Sequence, residues 1–117
     1  SNPHATYHVN FFGTLNLLEA LDASGFTGRM LYVSSGEVYG LVAENELPIR
    51  ETHAVKPRNP YSVSKAAAEL LCYQWTQTRG FDIVVARPFN HIGPGQAEQF
   101  VVPDFARQVA EIKLGLR

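Results

Sequence analysis

The chain has 117 residues, 45% of them hydrophobic and 18% charged, with a formal net charge of -1 from 10 Lys plus Arg and 11 Asp plus Glu. That length fits one compact domain, and the apolar fraction argues against wholesale disorder. The near-neutral charge gives no support for a nucleic-acid or membrane-surface partner, and no run approaches the ~18 apolar residues of a membrane span.

Thr6 to Ala23 reads as a helix. Val9, Phe12, Leu15, Leu18 and Leu21, with Phe11 and Leu17 beside them, cover more than one face. Such a helix is buried between layers or sits at a subunit contact. Ser24-Gly25 stops it, and Gly28 marks a turn. Arg29 to Ser34 is a short apolar run between turns and reads as a buried strand. Ser35 to Pro60 has no sustained period and carries Pro48, Pro57 and Pro60, so it reads as a long loop. Loops of that length in a compact domain are usually functional.

Tyr61 to Arg79 is the clearest helix, with strong helix formers from Ala66 to Leu71, Pro60 just ahead of it and Gly80 closing it. Val63, Ala67, Leu70 and Gln74 form one stripe; Leu71, Trp75 and Thr78 form another. Phe81 to Ala86 reads as a second buried strand, and Arg87 to Gln96 as a Pro/Gly-rich loop. Pro103 to Lys113 reads as an amphipathic helix with Phe105, Val109 and Ile112 on one face. This alternation implies an α/β fold with parallel strands and helices on both faces of the sheet. Two strands make a very small sheet, so residues 1–117 read as one partial domain, the later half of a doubly wound sheet.

Tyr61 and Lys65 lie four apart on one helix face. A lysine so placed stabilises a phenolate and lowers a tyrosine's pKa from about 10. Such a tyrosine gives or takes a proton beside a carbonyl. Tyr-x-x-x-Lys alone is common by chance, so its context matters. The first strand ends in Ser34-Ser35, followed by Gly36-Glu37-Val38-Tyr39-Gly40. A hydroxyl at the carboxyl end of a parallel strand faces the ligand crevice, where it holds a substrate oxygen. Arg87-Pro88-Phe89-Asn90-His91-Ile92-Gly93-Pro94-Gly95-Gln96 follows the second strand in the same way.

With these segments in this order, the sequence resembles the extended short-chain dehydrogenase/reductases, the NAD-dependent epimerase/dehydratase group acting on nucleotide sugars. Val9 to Ala20 matches that family's helix before the serine strand, and Asn59-Pro60-Tyr61 with Ser64-Lys65 matches the stretch around its catalytic tyrosine. The resemblance covers nearly the whole chain and implies a Rossmann-like fold with NAD or NADP as cofactor. It makes Tyr61 the general acid/base, Lys65 the residue that binds the nicotinamide ribose, and Ser35 the catalytic hydroxyl, with Ser34 the neighbour open to confusion with it. Pro88 and Phe89 would lie near the nicotinamide, beside Ser34, Tyr61 and Lys65; Asn90 would contact the sugar or diphosphate. Asn10 matches a family asparagine near the active site, though helix packing accounts for it equally well. The family's Gly-rich turn G-x-x-G-x-x-G and the residue selecting NAD or NADP have no counterpart in the chain, and the sugar-binding part stops short at Arg117.

Glu37, two residues after Ser35, matches the glutamate with which the family's 4,6-dehydratases remove a proton; a turn glutamate is the equal alternative. Its neighbours Ser35-Gly36 differ from the Thr-Asp-Glu or Thr-Ser-Glu of dehydratases. The run from Phe89 to Gln96, then Phe100 to Ala106, looks most like the family's GDP-4-keto-6-deoxy-mannose reductases. That likeness implies hydride transfer to C4 of a GDP-linked keto sugar, with Ser35, Glu37 and Asn90 on the substrate and Val101 and Val102 lining the nucleotide pocket. A dehydratase or epimerase on the same scaffold is one alternative. A non-catalytic dimerising fragment is another.

The resemblance also implies a homodimer, with helices 6–23 and 61–79 pairing across a two-fold axis; Gly13, Ala20, Ala68 and Leu71 would suit close helix contact there. His4, His8, His53 and His91 show no metal-ligand spacing, so no metal is expected. Cys72, the single cysteine, reads as a packed thiol in a reducing compartment, and Trp75 and Tyr73 as packing or interface residues. Lys56, Arg58 and the loop glutamates read as solvated surface. Ser1-Asn2-Pro3-His4 lacks a signal-peptide pattern, so a soluble cytoplasmic protein is expected.

Overall fold

Asn2 starts the chain's first helix. Its side-chain oxygen accepts from the backbone N–H of His4 at 3.1 Å and Ala5 at 3.4 Å, and Pro3 sits where its missing N–H costs nothing. The helix therefore begins three residues before the predicted Thr6. A computed structural model describes residues 2–116. In it α1 (Pro3–Tyr7), a π-helical segment (His8–Phe12) and α2 (Gly13–Ala23) run end to end. Then come β1 (Arg29–Val33), 3-10 turns at Gly36–Tyr39 and Glu44–Glu46, α3 (Pro60–Arg79), β2 (Asp82–Ala86) and α4 (Val101–Lys113). The predicted loop thus contains two short helical turns, and α4 starts two residues before the predicted Pro103.

Asn59 caps α3 reciprocally: its side chain accepts from Ser62 N at 2.8 Å, while Ser62 Oγ accepts from Asn59 N at 3.3 Å. Gly80 ends α3 in the left-handed region at φ 70°, the position glycine fills at least cost. β1 and β2 pair in parallel with Arg29 opposite Asp82 and Val33 opposite Ala86. The pairing makes the fold α/β, with α3 as the crossover.

Leu18, Tyr32, Ala68, Cys72 and Trp75 form the core, with Phe11, Leu15, Met30, Leu71, Phe81 and Ile83 packed around them. Trp75 meets the Phe81 ring edge-on at 5.3 Å. Full burial of Leu18 is worth about 2–3 kcal/mol. Cys72 is fully buried, as predicted, and burial pushes its thiol up to about 11.

Among the described residues the core lies between the helices and one sheet face. Neither strand is buried on both sides: Leu31 is 59% exposed and Val33 51%, and Val84 is also open. The strands read as continuous apolar runs because both faces are apolar, and helices among the described residues cover one of them. The buried stripe of α3 runs through Ser64, Ala68, Cys72 and Trp75 with Glu69 beside it, so Val63 and Leu70 of the predicted stripe are exposed. Ala68 packs in the core and Leu71, partly buried, packs against it. On α4 the face of Phe105, Val109 and Ile112 is exposed.

Candidate active site

β1 ends at Val33, and its pairing continues past the sheet. Ser34 N donates to Ala86 O at 2.7 Å and Gly36 N to Pro88 O at 2.8 Å. These bonds lay the serine turn against the Pro88-Phe89 segment. Gly36 allows this close approach: a Cβ would stand 2.8 Å from the Phe89 ring, which would have to shift. Phe89 also stacks on Tyr39, with centroids 6.3 Å apart and planes 10° apart.

Ser35 caps the first 3-10 turn, its Oγ accepting from Glu37 N at 3.2 Å. That bond uses a lone pair and leaves the hydroxyl hydrogen free to donate. Ser34 differs from its neighbour. It is 3% exposed and its Oγ has no hydrogen-bond partner among the described residues.

Two links bracket Ser35 and Tyr61. Asn59 Nδ2 donates to Glu37 Oε2 at 3.0 Å, joining the residue two after Ser35 to the residue two before Tyr61. Lys65 Nζ donates to Val33 O at 2.9 Å, joining the residue two before Ser35 to the residue four after Tyr61. The start of α3 is thereby fixed across the end of β1. Lys65 Nζ lies 5.9 Å from the Tyr61 ring centroid, and burial lowers its pKa. Tyr61 is 41% exposed, open toward solvent.

Asn10, in the π-helical segment, donates from Nδ2 to Ser64 Oγ at 2.9 Å, and Ser64 Oγ donates to Tyr61 O at 2.6 Å. This bond packs the π-helical segment against the turn of α3 that carries Tyr61. Asn90 is exposed just beyond Phe89, and Val101 and Val102 stand exposed on the first turn of α4. No side-chain hydrogen bond or ion pair joins these three to Ser35, Tyr61 or Lys65 among the described residues. No cluster of three or more His, Cys, Asp or Glu suited to a metal occurs among the described residues.

The sequence reading missed a polar cluster next to this site. Arg87 donates from Nη2 to Glu69 Oε2 at 2.6 Å and from Nε to Glu69 Oε1 at 2.9 Å. Its Nη1 reaches Tyr39 Oη at 3.0 Å and Glu51 O at 3.3 Å. Glu69 raises the Arg87 pKa most, through these bonds. Glu69 falls one turn after Lys65 on α3 and is buried, which its position along the helix does not disclose.

The sequence model of the family described as GDP-mannose 4,6 dehydratase matches residues 1–117. The chain belongs to this family. It is 59% identical over 116 residues to GDP-6-deoxy-D-mannose reductase of Pseudomonas aeruginosa, covering 99% of the chain and 38% of that protein. It is 38% identical over 117 residues to GDP-mannose 4,6-dehydratase of Yersinia enterocolitica, covering 98% of the chain and 31% of that protein. Among solved structures, RMD from Pseudomonas aeruginosa complexed with NADPH superposes with a TM-score of 0.95 at 59% identity, over 99% of this chain and 40% of that one. The dTDP-glucose 4,6-dehydratase DesIV from Streptomyces venezuelae, with NAD and TYD bound, gives 0.80 at 30% identity, over 90% and 32%. The chain thus spans about two fifths or less of the relatives it matches.

Proposed function

We propose that the protein carrying this chain is a nucleotide-sugar oxidoreductase. It reduces the C4 keto group of a GDP-4-keto-6-deoxy-hexose to a GDP-rhamnose-type product, with NADPH or NADH as reductant. The observation that carries this reading is the bracketed Ser35–Tyr61 pair, in a chain 59% identical to a GDP-6-deoxy-D-mannose reductase. Tyr61 and Lys65 follow the spacing that acid/base work at a carbonyl requires.

In this reading Ser35 donates its free hydroxyl hydrogen to the C4 carbonyl oxygen. Tyr61 delivers a proton to the same oxygen as negative charge builds on it, and Lys65 offsets the charge left on the phenol. The Ser34 hydroxyl is buried without a hydrogen-bond partner among the described residues, and the backbone bonds of Ser34 and Gly36 hold this turn beside Pro88 and Phe89. These residues fit the nicotinamide end of a dinucleotide, which when bound supplies the hydride. The pyrophosphate end needs a Gly-rich turn that these 117 residues do not contain. Asn90, Val101 and Val102 complete the substrate side.

Glu37 bears on the alternative, a dehydratase or epimerase. Its carboxylate is engaged by Asn59, the cap of α3. A base for proton removal needs that carboxylate directed at substrate, so this tie favours reduction. The third reading, a non-catalytic dimerising fragment, is tested by titrating the chain with NADPH; binding at micromolar concentration excludes it.

The deciding experiment incubates the longer polypeptide with GDP-4-keto-6-deoxy-mannose and NADPH. A product heavier by two hydrogens, with matching NADPH loss, is expected. Tyr61→Phe should then lose about 100-fold or more in rate. Loss of water from GDP-mannose instead would give the assignment to dehydratase and the base's role to Glu37.

A cytoplasmic homodimer completes the proposal. Val9, Phe12 and Leu17 on the first helix and Val63, Leu70 and Tyr73 on α3 leave apolar stripes open, and these would pair with a second copy. A monomeric sedimentation profile of the folded protein would overturn it. No helix among the described residues is long and apolar enough to cross a membrane.

A further inference from the structure

Lys65 is held from a side that the Tyr-x-x-x-Lys spacing does not disclose. Its Nζ lies 5.3 Å from the centroid of the Tyr32 ring, nearer than the 5.9 Å to Tyr61. Tyr32 is on β1, 8% exposed, packed in the core with Leu18, Ala68, Cys72 and Trp75. The next residue, Val33, supplies the carbonyl to which Nζ donates at 2.9 Å. Two consecutive residues of one strand therefore contact the ammonium, one with a ring face and one with a carbonyl dipole.

A lysine ammonium sits on a flexible four-carbon stem with about 2 kcal/mol of rotamer entropy. One hydrogen bond fixes a distance but leaves the stem free to swing about it. An aromatic face within about 6 Å attracts the ammonium electrostatically and blocks that swing. The ring is itself immobile, because the core packs around it. Burial disfavours the charged lysine, so contacts that favour the cation are needed to keep it there.

We propose that Tyr32 is a positioning residue for Lys65: its ring face, with the Val33 carbonyl, holds the ammonium one turn beyond Tyr61. The catalytic meaning of this rests on the reductase reading; the geometry does not. Tyr32 acts through Lys65 and touches no substrate. The ring matters and the hydroxyl does not, since an aromatic face is enough for a cation–π contact.

The chain has three lysines, Lys56, Lys65 and Lys113, which makes a direct test practical. The chain labelled with [ε-13C]lysine gives three methylene signals, assigned by Lys→Arg variants. The Lys65 ε-methylene protons, one bond from an ammonium that sits over the Tyr32 ring, are expected upfield of the other two. Tyr32→Phe should keep that displacement, and Tyr32→Leu should lose most of it while far-UV circular dichroism stays native. Should Tyr32→Leu fail to fold, Tyr32→Met takes its place, with the same expectation. A wild-type Lys65 signal level with Lys56 and Lys113, or an unchanged displacement in the folded aliphatic variant, overturns the proposal.

A second arm uses the longer enzyme. Tyr32→Leu should lower kcat about 2- to 30-fold, the span of an exposed to a desolvated cation–π contact, with KM for the keto sugar unchanged. Tyr32→Phe should restore kcat. Equal kcat in the Leu and Phe variants, with the methylene displacement lost in one only, also overturns the proposal. An enzyme with no reductase activity would refute the parent reading and leave the methylene result to decide this one.

Discussion

Replacing Glu69 with alanine strands Arg87. The Glu69 side chain is 9% exposed and that of Arg87 22%, so the pair is largely out of water. Removing one member of a buried pair costs about 3–5 kcal/mol, because the remaining charge keeps its desolvation penalty. Arg87 would still have Tyr39 Oη at 3.0 Å, Glu51 O at 3.3 Å and some solvent. The expected loss is therefore at the low end, about 3 kcal/mol. Against a typical stability of about 5–15 kcal/mol this is a large fraction. Glu69→Gln keeps a neutral acceptor and should lose about 1–2 kcal/mol. The double variant Glu69→Met, Arg87→Leu removes both charges and should be more stable than Glu69→Ala alone. Urea unfolding followed by circular dichroism reads all three. If Glu69→Ala costs under about 1 kcal/mol, and its effect adds to that of Arg87→Leu, the pair is not a buried clamp.

Gly40 and Gly80 have nearly the same φ, at 68° and 70°, yet should respond differently to alanine. A Cβ on Gly80 meets nothing within 4 Å, so only the left-handed backbone costs, about 1–2 kcal/mol; one on Gly40 would stand 2.1 Å from Lys56 O, and that variant should lose more than about 3 kcal/mol or fail to fold. Stability should fall at high pH, because burial lifts Cys72 from 9.0 to about 11 and Tyr32 from 10.0 to about 12. Both groups favour the folded state while neutral, so their contribution is complete below pH 9 and is lost between 9 and about 11 for Cys72 and between 10 and about 12 for Tyr32. Each removes up to about 1.4 kcal/mol per pH unit, and Cys72→Ala should flatten the lower part of that slope in urea melts. Glu37→Gln in the longer enzyme should leave reduction within about tenfold of wild type, whereas loss comparable to Tyr61→Phe would identify a proton-transfer role for Glu37.

The helix of Tyr61 was legible because its signals are local. Asn59, Pro60 and Gly80 act within one turn of its ends, and the four-residue step from Tyr61 to Lys65 fixes a common face without any tertiary contact. The same locality misled the reading of faces. Val63 and Leu70 look more apolar than Ser64 and Glu69, yet the latter pair is buried. Ser64 is bonded to Asn10, which lies 54 residues away, and Glu69 to Arg87, 18 residues away. A polar side chain can be buried when such a partner is supplied, and spacing along one helix does not say whether it is.

Composition, helix period, caps and turn residues were enough to set the elements and their order, since each works through hydrogen bonds and sterics within a few residues of chain. They also put a serine at a strand end and a tyrosine and a lysine on one helix face. The approach of α3 to the end of β1 was outside their reach. So were the ring of Tyr32 beneath Lys65 and the Glu69–Arg87 clamp. Those depend on contacts between residues distant in sequence, whose energies emerge only when the strands pair and the helices close over one side of the sheet.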